Sequence, residues 1–238
     1  MINLYRNTMT KVGAVFVLAW AFSIGTVSTA DAAFILRLDD PTTAAIEITV
    51  IDQGAGDINP MAGVITFSGS VGAFAVNVST GVSKPTLGSS LAPSMDLNSI
   101  DVTTGTGGSL NIYLTDTGFT GSGELTMASG GTTAGSVSYA AWMDLSNVEF
   151  GMGSQIGILG PFGAGAFSGT TMGPGAGSAP YSLTERVSIV HTGNGATSFD
   201  ATLVLTTSDV SLIPEPMTPA LLGLALVGVA VFARRRTV

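Results

Sequence analysis

The sequence predicts an all-β fold, an antiparallel β-sandwich of which a jelly roll is one form, set between a secretory leader and a membrane-spanning tail. Three observations carry this. Apolar residues recur at every second position through most of the chain, the spacing of strands that bury one face. Clusters of Gly, Asn, Asp and Ser separate those stretches and supply turns. Between Phe34 and Ile213 no segment has the 3.6-residue apolar spacing of an amphipathic helix.

The first element, residues 1–33, reads as a signal peptide. Arg6 and Lys11 form a positive n-region, Val12 to Ile24 an apolar h-region, and Ser28-Thr29-Ala30-Asp31-Ala32-Ala33 a small-residue cleavage zone, with Ala30, Ala32 and Ala33 as alternative cut sites. The body, residues 34–211, follows. Ile46, Ile48 and Val50 face one way in the first clear alternation, and Ile65 with Phe67 in the next. Phe74, Val76 and Val78 repeat the pattern, as do Leu110, Ile112 and Leu114. Later come Val137, Tyr139, Ala141 and Met143, then Leu183, Val187 and Ile189, then Phe199, Ala201, Leu203 and Leu205. Roughly nine to eleven strands are expected, a number that suits a sandwich. The segment 151–180 breaks the rhythm. It is rich in glycine and carries Pro161, Pro174 and Pro180. Glycine is costly to order, so a loop at one end of the sandwich is preferred here over a pair of loosely packed strands.

Charge and composition exclude several functions. Between the two targeting ends only Arg37, Lys84 and Arg186 are basic against fourteen acidic residues, a net charge near −11. Such a surface repels nucleic acid. The 238-residue chain has no cysteine, so disulfides, thiolate catalysis and cysteine–zinc sites are ruled out.

Candidate chemistry is sparse. His191 is the single histidine. A hydrolase triad would need it with Asp200 or Asp209, yet no serine sits in a Gly-x-Ser-x-Gly elbow, and a strand-end histidine before the Thr192-Gly193-Asn194-Gly195 turn is the plainer reading. Asp39-Asp40 and Asp52 with Asp57 are the close acidic groupings, but the body is poor in the aromatics that glycosidase clefts use. Gly151-Met152-Gly153 followed by Gly157 misses the dinucleotide spacing, and no helix follows it. Calcium is the one cofactor the residues suggest. Asp52, Asp57 and Asn59 could offer hard oxygens from a glycine-containing turn, although Asp and Asn also stabilise turns with no ion present.

The tail, residues 212–238, has three parts in order: the tripeptide Pro214-Glu215-Pro216, an apolar run from Ala220 to Ala233, and the cluster Arg234-Arg235-Arg236. Two prolines make the tripeptide a rigid, extended spacer. Counted from Met217, the run approaches the roughly 20 helical residues that span a bilayer core, and Pro219 at its start is well tolerated. The arginines act as a stop-transfer signal on the cytoplasmic side. This order resembles the PEP-CTERM sorting tail of Gram-negative bacteria. The resemblance implies that an exosortase, a membrane transpeptidase-like enzyme, recognises the tripeptide and removes the helix. The protein then passes from the inner membrane toward the cell surface or an exopolysaccharide biofilm matrix. The resulting expectation is a non-enzymatic exported protein with the body outside the cytoplasm. The competing expectation is a tethered periplasmic or surface adhesin that binds carbohydrate or calcium.

Overall fold

The computed structural model describes residues 33–175 and 180–206. Residues 1–32 and everything from residue 207 on lie outside the described residues, and with them nearly all of the expected signal peptide (1–33) and the whole of the expected sorting motif, apolar run and arginine cluster. Within them the chain forms twelve strands and no helix. In chain order these are β1 (Ile35–Asp39), β2 (Ile48–Ile51), β3 (Val64–Val71), β4 (Phe74–Val82), β5 (Ser94–Thr104) and β6 (Gly108–Phe119). There follow β7 (Glu124–Thr133), β8 (Ser136–Asp144), β9 (Ser154–Phe162), β10 (Gly165–Pro174), β11 (Tyr181–His191) and β12 (Gly195–Thr206).

The strands build two six-stranded antiparallel sheets. One runs β2-β1-β6-β11-β8-β9, the other β10-β7-β12-β5-β4-β3. The last eight strands pair as a single folded ribbon: β5 with β12, β6 with β11, β7 with β10, and β8 with β9. Successive ribbon rungs alternate between the sheets, and β1–β4 widen each sheet at the side of β6 and β5.

The period-two pattern lands as expected. Leu110, Ile112, Leu114, Leu183, Val187, Ile189, Ala201 and Leu203 are all fully buried between the sheets. Each large aliphatic side chain buried this way contributes about 1.5–3 kcal/mol. At the start of the chain the pattern slips. β2 begins only at Ile48, and Ile46 stands 48% exposed.

The glycine-rich stretch differs more. The expected loop over 151–180 is largely two strands, β9 and β10, which form opposite sheet edges. Glycine makes this possible by letting the edges close on each other. A Cβ at Gly173 would lie 2.2 Å from the Ile156 carbonyl oxygen, and one at Gly169 3.0 Å from the Phe162 ring. Phe162 and Phe167 then stack 4.9 Å apart and seal that side of the core. β5 and β7 were missed by pattern for a related reason: polar Ser99 and Ser129 occupy buried positions in them.

Candidate functional site

The proposed cation turn is held together by its own hydrogen bonds. The Asp57 carboxylate accepts backbone N–H groups from Gln53 (3.0 Å), Asn59 (2.9 Å) and Thr66 (3.0 Å). Asn59 Oδ1 accepts from Met61 N (2.9 Å), and Asp52 Oδ2 accepts from Gly63 N (2.8 Å). Asp52 Oδ1 is buried without a partner. Six to eight oxygens are needed around calcium, and here most are turned onto the backbone. Nor do the described residues contain a group of three or more acidic, histidine or cysteine side chains placed to hold a metal. Asp39 and Asp40 sit at the end of β1, where Asp40 Oδ1 accepts from Thr42 N and Oγ1, bonds that hold its carboxyl below the ordinary range. Asp57→Ala is expected to lower unfolding free energy by about 1–3 kcal/mol through orphaned N–H groups. A chelator is expected to leave the wild-type melting midpoint unchanged. Denaturant melts with and without chelator check both.

His191 ends β11 and is buried, with Nε2 2.8 Å from Thr197 Oγ1 and its ring edge-on to Phe74. Burial pushes its pKa down. Thr197 faces the core with Phe199 and Ala201, so the alternation of β12 turns Asp200 to the other face. The histidine and this aspartate are therefore not assembled into a triad. His191 ties the β11–β12 hairpin to the core.

The structure instead gathers carboxyls that sequence reading did not connect. Glu185 lies on β11 in the inward register of Leu183, Val187 and Ile189, fully enclosed. Burial pushes its carboxyl up to about 8, and the nearby Asp96 and Asp200 add to the rise against a lowering contribution from Tyr139. Tyr139 Oη bonds to Glu185 Oε1 and lies 3.1 Å from the Thr202 carbonyl oxygen. A phenol has one proton and cannot donate to both. With Glu185 protonated, its carboxyl donates to Tyr139 Oη and the phenol donates to Thr202 O, which gives each atom a role.

Above this buried chain, on the outer face of the second sheet, Asp96 of β5 and Asp200 of β12 lie side by side within hydrogen-bonding reach. Burial and the bond to Asp200 push Asp96 up to about 6, while Asn98 Nδ2 donates to Asp96 Oδ2 at 2.9 Å. The register sets Asn98 opposite Asp200 and Asp200 opposite Gly130. Lacking a side chain, Gly130 leaves a shallow depression of about 290 Å³ beside Asp200, Ser168 and Thr202. This face can accept hydrogen bonds and cations, whereas Glu185 beneath it is closed to any solute. Glu185 carried one sequence signal: it is a charged residue at an inward position of an otherwise apolar alternation.

A second buried charge site closes one end of the sandwich. Lys84 Nζ is 2.7 Å from Asp116 Oδ1 and donates to Thr117 O at 2.6 Å. Asp116 also accepts from Ser83 Oγ and, at 2.7 Å, from Thr117 N, and Lys84 lies 3.9 Å over the Phe119 ring. Burial pushes the Lys84 amine down and the Asp116 carboxyl up. Lys84 borders a cleft of about 1000 Å³ that also takes in Phe34, Asp52, Gln53 and Ser89.

No family model matches the chain, and no curated protein matches it.

Proposed function

We propose that the chain is a non-enzymatic exported protein, handed by a PEP-CTERM-type tail to an exosortase-type transpeptidase and displayed at the cell surface or in an exopolysaccharide matrix. The observation that carries this is the order of the tail: Pro214-Glu215-Pro216, the apolar run Ala220 to Ala233, then Arg234, Arg235 and Arg236. The secretory signature at residues 1–33 points the same way. A cysteine-free, acidic two-sheet body suits it as the part displayed. In this reading the wound ribbon of β5–β12 is a jelly roll. The apolar run holds the protein in the inner membrane until the tail is processed, the body faces outward, and a matrix polysaccharide is the partner implied.

The test compares intact mass and membrane fractionation of the wild-type protein with Glu215→Ala. Wild type is expected to lose its tail and leave the inner membrane, and the variant to keep the helix and stay. An unprocessed C-terminus on both proteins, retained in the inner membrane, would overturn the reading in favour of a plain anchor.

A further inference from the structure

The three basic side chains of the described residues are distributed unevenly. Lys84 is engaged with Asp116 at the end of the sandwich. The other two, Arg37 and Arg186, share one row on the outer face of the first sheet, because Tyr113 of β6 pairs with Arg37 on one side and Arg186 on the other. Two strand spacings separate them, about 10 Å. The Arg37 guanidinium lies 3.7 Å over the Phe150 ring, and that of Arg186 4.9 Å over Trp142. Rings hold the two cations in place, yet neither makes an ion pair among the described residues, and the Nε of each is buried without a partner. In a body so rich in carboxylates, this is a pair of pre-positioned cations left open on one face. Ile158 ends the same row, 55% exposed.

The outer face of the second sheet is the complement. Its six strands contain no lysine or arginine, and they carry Asp96 and Asp200 together on the outer surface beside the depression floored by Gly130. A guanidinium on an arginine stem fits a hollow of that size. The acidic face is about 25 Å wide and about 30 Å long, on the order of 750 Å², near the per-partner area of a standard stable interface. On the arginine face β1 and β2 are only five and four residues long, and Phe150 of the β8–β9 connection lies over the sheet with its N–H on Thr115 Oγ1.

We infer that the arginine face of one copy docks onto the acidic face of a second copy, Arg37 and Arg186 meeting Asp96 and Asp200. The two faces lie on opposite sides of the sandwich, so the contact is heterologous: each added copy leaves one face of each kind free, and copies stack in an open line. This concerns the body alone and stands or falls independently of the sorting tail.

Sedimentation velocity on the full chain in one fixed detergent tests it with two double variants, Arg37→Gln/Arg186→Gln and Asp96→Asn/Asp200→Asn. Wild type is expected to show concentration-dependent growth in size that added salt weakens. Each variant alone is expected to associate at least about tenfold more weakly. An equimolar mixture of the two still holds one intact face of each kind, and is expected to form a complex that stops at two chains. Because that complex needs a working face on each variant, it also reports that both are folded. A wild type that does not grow with concentration overturns the inference. So do variants that associate like wild type, or a mixture that forms no pair.

Discussion

Glu185→Gln is expected to flatten the dependence of stability on pH. The folded state holds the Glu185 proton up to about pH 8, whereas an unfolded chain releases it near the ordinary glutamate value of 4.5. Between those values the native state binds more protons than the unfolded state, so wild-type stability falls as pH rises through the window. Below it both states are protonated and no penalty exists. Above it the penalty is complete, and the full difference corresponds to about 5 kcal/mol. That is a large part of the roughly 5–15 kcal/mol that holds a typical domain folded. Asp96, raised to about 6, adds a smaller decline of the same sign, and its half-exposed position screens it. Glutamine keeps a donor for Tyr139 and cannot ionise, so the variant should lose the Glu185 part of the decline. It should keep the smaller contributions of the other shifted groups, Asp96 and Asp116 with the same sign and His191 with the opposite one. Urea midpoints at several pH values between 5 and 8 measure this. An unchanged slope in the variant would show that Glu185 is not the group that titrates.

Lys84→Met should be the most damaging single change at the closed end of the sandwich. It leaves the Asp116 carboxylate enclosed, with Ser83 and Thr117 as hydrogen-bond donors but no counter-charge. Removing one partner of a buried ion pair costs about 3–5 kcal/mol, and the methionine retains most of the stem packing against Phe119. The loss should shrink in acid, where Asp116 takes up a proton. Pairing the change with Asp116→Asn should recover most of the stability, because the amide oxygen still accepts the Thr117 N–H and no charge remains to be desolvated. If the single variant lies within about 0.5 kcal/mol of wild type, the ion pair does not hold this end together.

How much of this was legible in the sequence depended on the range of the interaction. Strands whose inward positions are uniformly aliphatic, such as Leu110-Ile112-Leu114, announced themselves, because alternation is a local signal. β9 and β10 did not, since the recurring glycines, Gly169 and Gly173 among them, read as flexibility until the opposing Phe162 and Ile156 are in place to exclude a side chain. Asp52, Asp57 and Asn59 were legible as a turn, and the hydrogen bonds follow that plainer chemistry. Glu185 could have been flagged as a break in an apolar register, but its partner is Tyr139 on another strand, which in turn reaches the Thr202 carbonyl across the core. The meeting of Arg37 with Arg186 around Tyr113 depends on pairing among three strands far apart in sequence. No local pattern encodes it.

The central place of β12 has a consequence for how the body comes into being. It lies between β5 and β7 and completes the rung that joins Met95 to Leu203. A polypeptide delivered N-terminus first, from a ribosome or through a narrow channel, presents β5 and β7 long before this strand arrives. Until then the second sheet is split down its middle, and neither half has its neighbour. Long-range pairing of this kind makes folding slow and late. Among the described residues β12 is the last strand in the chain, so the two halves of the second sheet join only once it has been made. Timing of closure is thus written into the strand order, with β12 acting as the latch.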